Sequence, residues 1–286
     1  MERSTGIARL ALAAATVGVI AAAAANTGYH YPVGDHHFLG LLPENTAYYG
    51  YSYDEGRFDL HYVTGFDSED RAVCEFMMCD ERYGTKDITD DVVDLYYIGY
   101  YDDNGNVVAK ERLDPITGEV LARSEWTYDE QGRIIASKTD NSSSTTIYSA
   151  DGRSSETAGE TVLEDGTSAF KNYCEYDEQG EMVYTCVEST GYESWWKNEY
   201  DTQGRLVQRD SFNEAGGEAD AGTSYIYEGD LLSEEYFWMK WEDKVIMADR
   251  KRYTYNEYGH QVLQEKTDKD GKVERMVTEY YICPEE

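Results

Sequence analysis

The sequence predicts an all-β protein: an extended, twisted antiparallel sheet built from tandem hairpins, about fourteen strands of roughly eight residues each, open or partly wound. Three observations carry this. The phrase Y-D-x-x-G-R recurs, complete at Tyr128 and Tyr200 and nearly complete at Tyr101, Tyr176 and Tyr255. With looser copies at Tyr148 and Tyr227, the spacings from Tyr101 onward are 27, 20, 28, 24, 27 and 28 residues, the period of a repeat architecture. Finally, 27 Tyr and 25 Gly against 4 Pro, with β-branched residues in short runs, favour strands joined by tight turns.

Residues 1–25 form a separate segment. Arg3 and Arg9 precede an uncharged, alanine-dominated stretch from Leu10 to Ala25, and Ala23 and Ala25 supply an A-x-A cleavage site before Asn26. Sixteen uncharged, mostly apolar residues fall short of the roughly 20 needed to span a bilayer, so the segment reads as a cleaved secretory signal peptide. An uncleaved N-terminal anchor is the alternative. The protein is therefore expected to be secreted or held at the cell surface. Cleavage leaves 23 basic and 56 acidic residues, a net charge of 23 − 56 = −33. Nucleic acid and anionic membrane surfaces would be repelled, whereas neutral glycans, cations and basic proteins would not.

Residues 26–95 read as an N-terminal cap. Tyr48 to Val63 is a degenerate repeat in which Tyr49, Tyr51 and Tyr53 share one face before Gly56 turns the chain. Asp67 to Gly84 breaks the rhythm; its run of Arg71, Ala72, Val73, Cys74, Phe76, Met77 and Met78 suits a short helix or an inserted loop better than a strand.

Residues 96–286 form the repeat array. Trp126 and Tyr128, Tyr225 and Tyr227, and Tyr253 and Tyr255 lie two apart, on one face of a strand. The polar triplet after Tyr128, Tyr176, Tyr200 and Tyr255 ends the strand, and Gly132, Gly180, Gly204 and Gly259 supply the positive φ of a tight hairpin. An apolar pair such as Ile134-Ile135 or Leu206-Val207 then opens the returning strand. Of the five cysteines, Cys174 and Cys186 bracket one such turn. A tight hairpin sets residue 174 against residue 183, leaving Cys186 further from the turn and not directly opposite Cys174, so a bridge between them is disfavoured.

These phrases resemble the YD repeat of the Rhs and teneurin families over about residues 96–281. The resemblance implies long, coiled antiparallel sheets, which in large members wind into a closed shell that encloses a toxin or serves adhesion. The present chain is too short to close such a shell and lacks the core region with its self-cleavage site and toxin tail. Asp114-Pro115-Ile116-Thr117-Gly118 is one residue too long for that core's D-P-x-G phrase and reads as a turn.

Catalytic constellations are sparse. There is no HExxH, G-x-S-x-G, P-loop or Rossmann fingerprint, and with 56 acids in the mature chain, carboxylate pairs carry no weight, so no catalytic residue is assigned. His30, His36 and His37 with Asp35 are the only histidine concentration and define no metal site by themselves. Calcium would suit the acidic turns Asp102–Gly105 and Asp268–Gly271 by ligand type, but neither continues into the twelve-residue loop of a calcium hand, and no cofactor is expected. The aromatic segments are more informative. Adjacent Trp195 and Trp196 must point to opposite faces, as must Tyr236 and Trp238 against Phe237, Met239 and Trp241. Burial on both sides is one reading; the other is a platform for sugar rings or a partner, with Trp195, Trp196, Tyr236, Trp238 and Trp241 as its candidate residues. The expected function is non-catalytic binding or adhesion to a glycan or cell-surface protein. Assembly by self-association through sheet edges is the alternative, and an exported hydrolase ranks third.

Overall fold

A computed structural model describes residues 30–36, 38–54, 57–80, 91–163, 166–188, 190–241 and 244–284. The signal segment 1–25, His37, Gly56 and residues 81–84 of the expected insertion lie outside these. The strands are β1 Tyr48–Asp54, β2 Arg57–Phe66, β3 Ala72–Asp80, β4 Asp91–Tyr101, β5 Val107–Leu113, β6 Val120–Tyr128, β7 Ile134–Lys138, β8 Ser142–Tyr148 and β9 Ser154–Leu163. They continue with β10 Gly166–Tyr176, β11 Met182–Val187, β12 Tyr192–Tyr200, β13 Leu206–Phe212, β14 Ala221–Glu228, β15 Leu231–Trp241, β16 Lys244–Tyr255, β17 Gln261–Asp268 and β18 Val273–Ile282.

All eighteen belong to one sheet. The expectation of about fourteen strands in an open or partly wound sheet is corrected on both counts. Strand β1 is antiparallel to β2 on one edge, with Tyr49 opposite Gly65, and to β18 on the other, with Tyr49 opposite Tyr281. The order thus closes on itself, an eighteen-stranded antiparallel barrel in its topology. The strands beyond that count include the pair β1 and β2 of the degenerate repeat and β3, which lies in the segment that departs from the repeat rhythm. Asp67 to Asp80 holds no helix: β3 pairs with both β2 and β4. Its alternating Cys74, Phe76 and Met78 are buried on one face while Glu75 is exposed, a period of two that the Arg, Ala and Met content had masked.

The chain packs as two compact units, one holding residues up to Ser124 and from Arg275, the other residues 125–274. The first contains the buried apolar core. Tyr49, Tyr51, Val63, Cys74, Phe76, Met78 and Tyr96 cluster with Phe38, which arrives from residues 30–47. That segment is tied down at several points. The Gly34 N–H donates to the Ile282 carbonyl, the Tyr96 hydroxyl donates to the Leu41 carbonyl at 2.5 Å, and His36 Nδ1 is hydrogen-bonded to the Tyr49 hydroxyl at 2.7 Å. Buried His61 is likewise bonded through Nδ1 to Tyr51, 2.6 Å away.

The second unit explains the repeat phrase. In the turn after β6, the Asp129 carboxylate accepts the backbone N–H groups of Gln131 and Arg133, each at 2.9 Å, and the Arg133 Nε at 2.7 Å. Gly132 has φ +76, and its N–H donates to the Asp129 carbonyl. Arg133 then lies over the ring of Tyr148, 4.1 Å from its centroid, so the arginine of one phrase stacks on the tyrosine of the next. The turn at Asp201–Arg205 repeats every element, with Arg205 over Tyr227 at 4.6 Å and the Tyr227 hydroxyl bonded to the Leu206 carbonyl at 3.0 Å. Where Glu181 replaces the arginine, the Asp177 carboxylate is satisfied instead by Asn198 and Tyr200.

Each of these hairpins also carries a bulge at its tyrosine, as between Glu175 and Tyr176. With the longer loop, the bulge sets Cys174 opposite Thr185 and Cys186 opposite Tyr173. The expected pairing of 174 with 183 is thus two residues off. Because directly opposed residues share a face, the two thiols project from opposite sides of the sheet. Cys74, Cys174, Cys186 and Cys283 are all unbridged.

Candidate functional site

Two faces of the second unit can be told apart by register. One carries the YD tyrosines, including Tyr200, Tyr227 and Tyr255. The opposite face, over β10 to β16, gathers a different set of side chains. Trp195 stands between its cross-strand partners Tyr184 and Phe212, with the Tyr184 and Trp195 ring centroids 5.4 Å apart. One step along the sheet, the row Lys197, Asp210, Gly222, Trp238 and Met247 crosses five strands.

Gly222 positions the indole of Trp238. A Cβ there would stand 2.8 Å from Cε2 and Cζ2 of Trp238 and 2.7 Å from Asp210 Oδ1, so the missing side chain is what lets the ring lie across β14 beside the carboxylate. Next to it, Gln208 Nε2 donates to Asp210 Oδ1 at 2.5 Å, and the Ser224 hydroxyl donates to Gln208 Oε1. A half-buried aromatic ring bordered by a carboxylate, an amide and a hydroxyl is chemically suited to a molecule with an apolar face and a rim of hydroxyls.

Tyr236 lies on the same face. Its hydroxyl donates to Glu234, and Arg250 covers its ring, 4.9 Å from the centroid. Arg250 Nη2 also reaches both Glu234 oxygens at 2.7 Å, and Arg252 Nε reaches Oε1 at 3.1 Å. Burial alone would raise the Glu234 pKa; the hydrogen bonds from Tyr236 and Arg250 and the charges of both arginines outweigh it and hold the carboxyl below the usual range. Glu234 is therefore an ionised anchor near neutral pH. Beside this network a groove of about 430 Å³ is lined by Glu228, Ser233, Glu234, Arg252, Thr254 and Glu265, among others.

The five aromatic candidates are thus divided. Trp195, Tyr236 and Trp238 share the face opposite the YD tyrosines. Trp196 is on the tyrosine side, under the Arg209 guanidinium at 5.2 Å. Trp241 ends β15, and its side chain lies outside the described residues. The repeat residues Tyr128, Gly132, Tyr176, Gly180, Tyr200, Gly204, Tyr255 and Gly259 sit at hairpin ends, and the four glycines have φ between +76 and +86. Sequence reasoning missed Gln208, Asp210 and Gly222. The glycine was the usable signal, since a glycine inside a strand marks a close approach.

Elsewhere, His36 sits among the rings of Phe38, Tyr49, Tyr51 and Tyr281. Among the described residues no three His, Cys, Asp or Glu side chains converge as metal ligands. In the acidic turns, Asp102 accepts backbone N–H groups from Asn104 and Asn106, and Asp268 from Asp270 and Lys272.

Comparison with known proteins returns no matching family model and no match among curated proteins. Several solved structures align, and two of them do so at low scores. A porin-like protein from Bacteroides uniformis ATCC 8492 matches with TM-score 0.32 and 7% identity, over 88% of this chain and 100% of that one. TcdB2-TccC3 without its hypervariable C-terminal region matches with TM-score 0.23 and 11% identity over 72% of this chain, which spans 15% of the length of that one. Neither likeness carries an argument about function, which rests on the residues themselves.

Proposed function

We propose that this chain is an exported, non-catalytic protein of the YD-repeat type that binds a glycan at the cell surface through the Trp195–Trp238 face of its second unit. One observation carries the reading: Trp238 lies across Gly222 with Asp210, Gln208 and Ser224 at its edge. A pyranose presents an apolar C–H face to a ring and hydroxyls to surrounding donors and acceptors, and this spot offers both. The ion network around Glu234 holds that carboxyl ionised, which suits an anchoring role and not that of a general acid.

Export follows from the N-terminal segment, and charge argues for an aqueous setting on both sides of the sheet. Lys197, Asp210 and Arg250 occupy one face of the second unit, Arg209, Glu235 and Lys251 the other, whereas a lipid-facing band must be apolar. Self-assembly through a terminal sheet edge is the weaker alternative, since β1 has a partner on each side. The test is a glycan array followed by titration calorimetry. Trp238→Ala should weaken binding at least tenfold with an unchanged far-UV spectrum, as expected for a central aromatic contact. Undiminished binding by that variant would remove this face from the function.

A further inference from the structure

The positions of Trp195 and Trp238 restrict what such a glycan can be. Trp195 is on β12 and Trp238 on β15, and the backbone register offsets their rows by two residues. Three strand spacings and one two-residue step put the two positions about 16 Å apart on one face, further than one sugar ring reaches. Between them lie Lys197 and Asp210, directly opposed and of opposite sign, followed by the small Gly222. The path between the rings is polar, and because Lys197 Nζ also pairs with Glu199 at 2.7 Å it offers no surplus of positive charge, in a chain whose formal net charge is −32. A polyanion gains nothing along that path and meets the repulsion of the whole molecule. A single sugar touches one ring of a surface that contacts it from one side only, and each such contact is weak until several are joined in one ligand.

We propose that the ligand is a linear, uncharged polysaccharide that lies across the strands from Trp195 to Trp238, with its hydroxyls met by Lys197, Asp210 and Gln208 in between. This rests on the glycan-binding reading above and goes further in fixing length, charge and direction. Affinity electrophoresis and calorimetry of the full chain with a neutral linear glucan, its oligosaccharides of increasing length, the free monosaccharide and a polyuronate test it.

Affinity should climb at least tenfold from monosaccharide to oligosaccharides long enough to meet both rings, then level off. Trp195→Ala and Trp238→Ala should each reduce the affinity for the long ligand to near that for a short one, with little further loss in the double variant. Trp195→Phe and Trp238→Phe, which preserve packing, should retain most of the binding and so separate ligand contact from folding. Gly222→Ala should imitate Trp238→Ala without removing a contacting ring. Equal affinity for monosaccharide and polymer, or preference for the polyuronate, overturns the proposal while leaving glycan binding intact. Binding that survives the double variant moves the site off this face. Failure of every glycan to bind rejects the underlying reading itself.

Discussion

Asp129, Arg133 and Tyr148 show how the repeat phrase works as a chain of partners: carboxylate to backbone N–H, carboxylate to guanidinium, guanidinium to the next tyrosine ring. A double-mutant cycle on Arg133 and Tyr148 should return a coupling of about 0.5–1 kcal/mol, the size of a partly exposed cation–π contact. Gly132→Ala should destabilise by about 1 kcal/mol in chemical denaturation, since its φ of +76 is unfavourable for a residue with a Cβ. Inside the first unit the stakes are higher. Tyr51→Phe leaves the buried His61 Nδ1 without its hydroxyl partner and should cost about 1–3 kcal/mol. The turn and its positive-φ glycine were legible in the sequence, whereas the aspartate reads there only as part of a polar triplet and its capture of backbone N–H groups emerges from the structure. The arginine stack was not legible, because it joins two phrases whose distance apart depends on the strand between them.

At the level of strands, β10 and β11 illustrate what pattern reading can and cannot supply. The hairpin between Tyr176 and Met182 was legible from its turn residues, but the longer loop and the bulge at Tyr176 were not, and together they move the partner of Cys174 from residue 183 to Thr185. With the thiols on opposite faces, non-reducing mass spectrometry of peptides 172–188 should show two free thiols even after mild oxidation; a mass lower by two hydrogens would contradict this register. Strand β3 was misread for a related reason: composition outweighed the alternation of Cys74, Phe76 and Met78. Alternation alone separates Trp195 from Trp196, as the register does, yet the partners of Trp238 come from β13 and β14, which no local pattern in β15 could announce.

For the whole molecule, β1 and β18 must find each other across nearly the full sequence; Ser52 and Thr278, hydrogen-bonded at 2.7 Å, are 226 residues apart. Such non-local pairing slows folding, so stopped-flow refolding should show the tyrosine signal of the first unit maturing in seconds or longer. Acid should act through the turns. Asp201 is held below the ordinary carboxylate range chiefly by the Arg205 backbone N–H; at Asp177, burial pushes upward and is outweighed by Tyr200 and Asn198. A carboxyl whose folded pKa lies below its unfolded value of about 3.9 contributes stability that is complete above that value and is lost as pH falls through the folded pKa. Thermal stability should therefore decline below about pH 4, and less steeply in Asp177→Asn. Relief of the −32 net charge works the other way and should soften the decline.

The closing pair also constrains how such a chain can change over generations. β18 meets β1 antiparallel only because the number of strands is even. Gain or loss of one strand would present the last strand in the wrong direction, whereas gain or loss of a hairpin preserves the match. A phrase that encodes two strands therefore lets this protein lengthen or shorten in whole units, by duplication or deletion within the gene, and still seal.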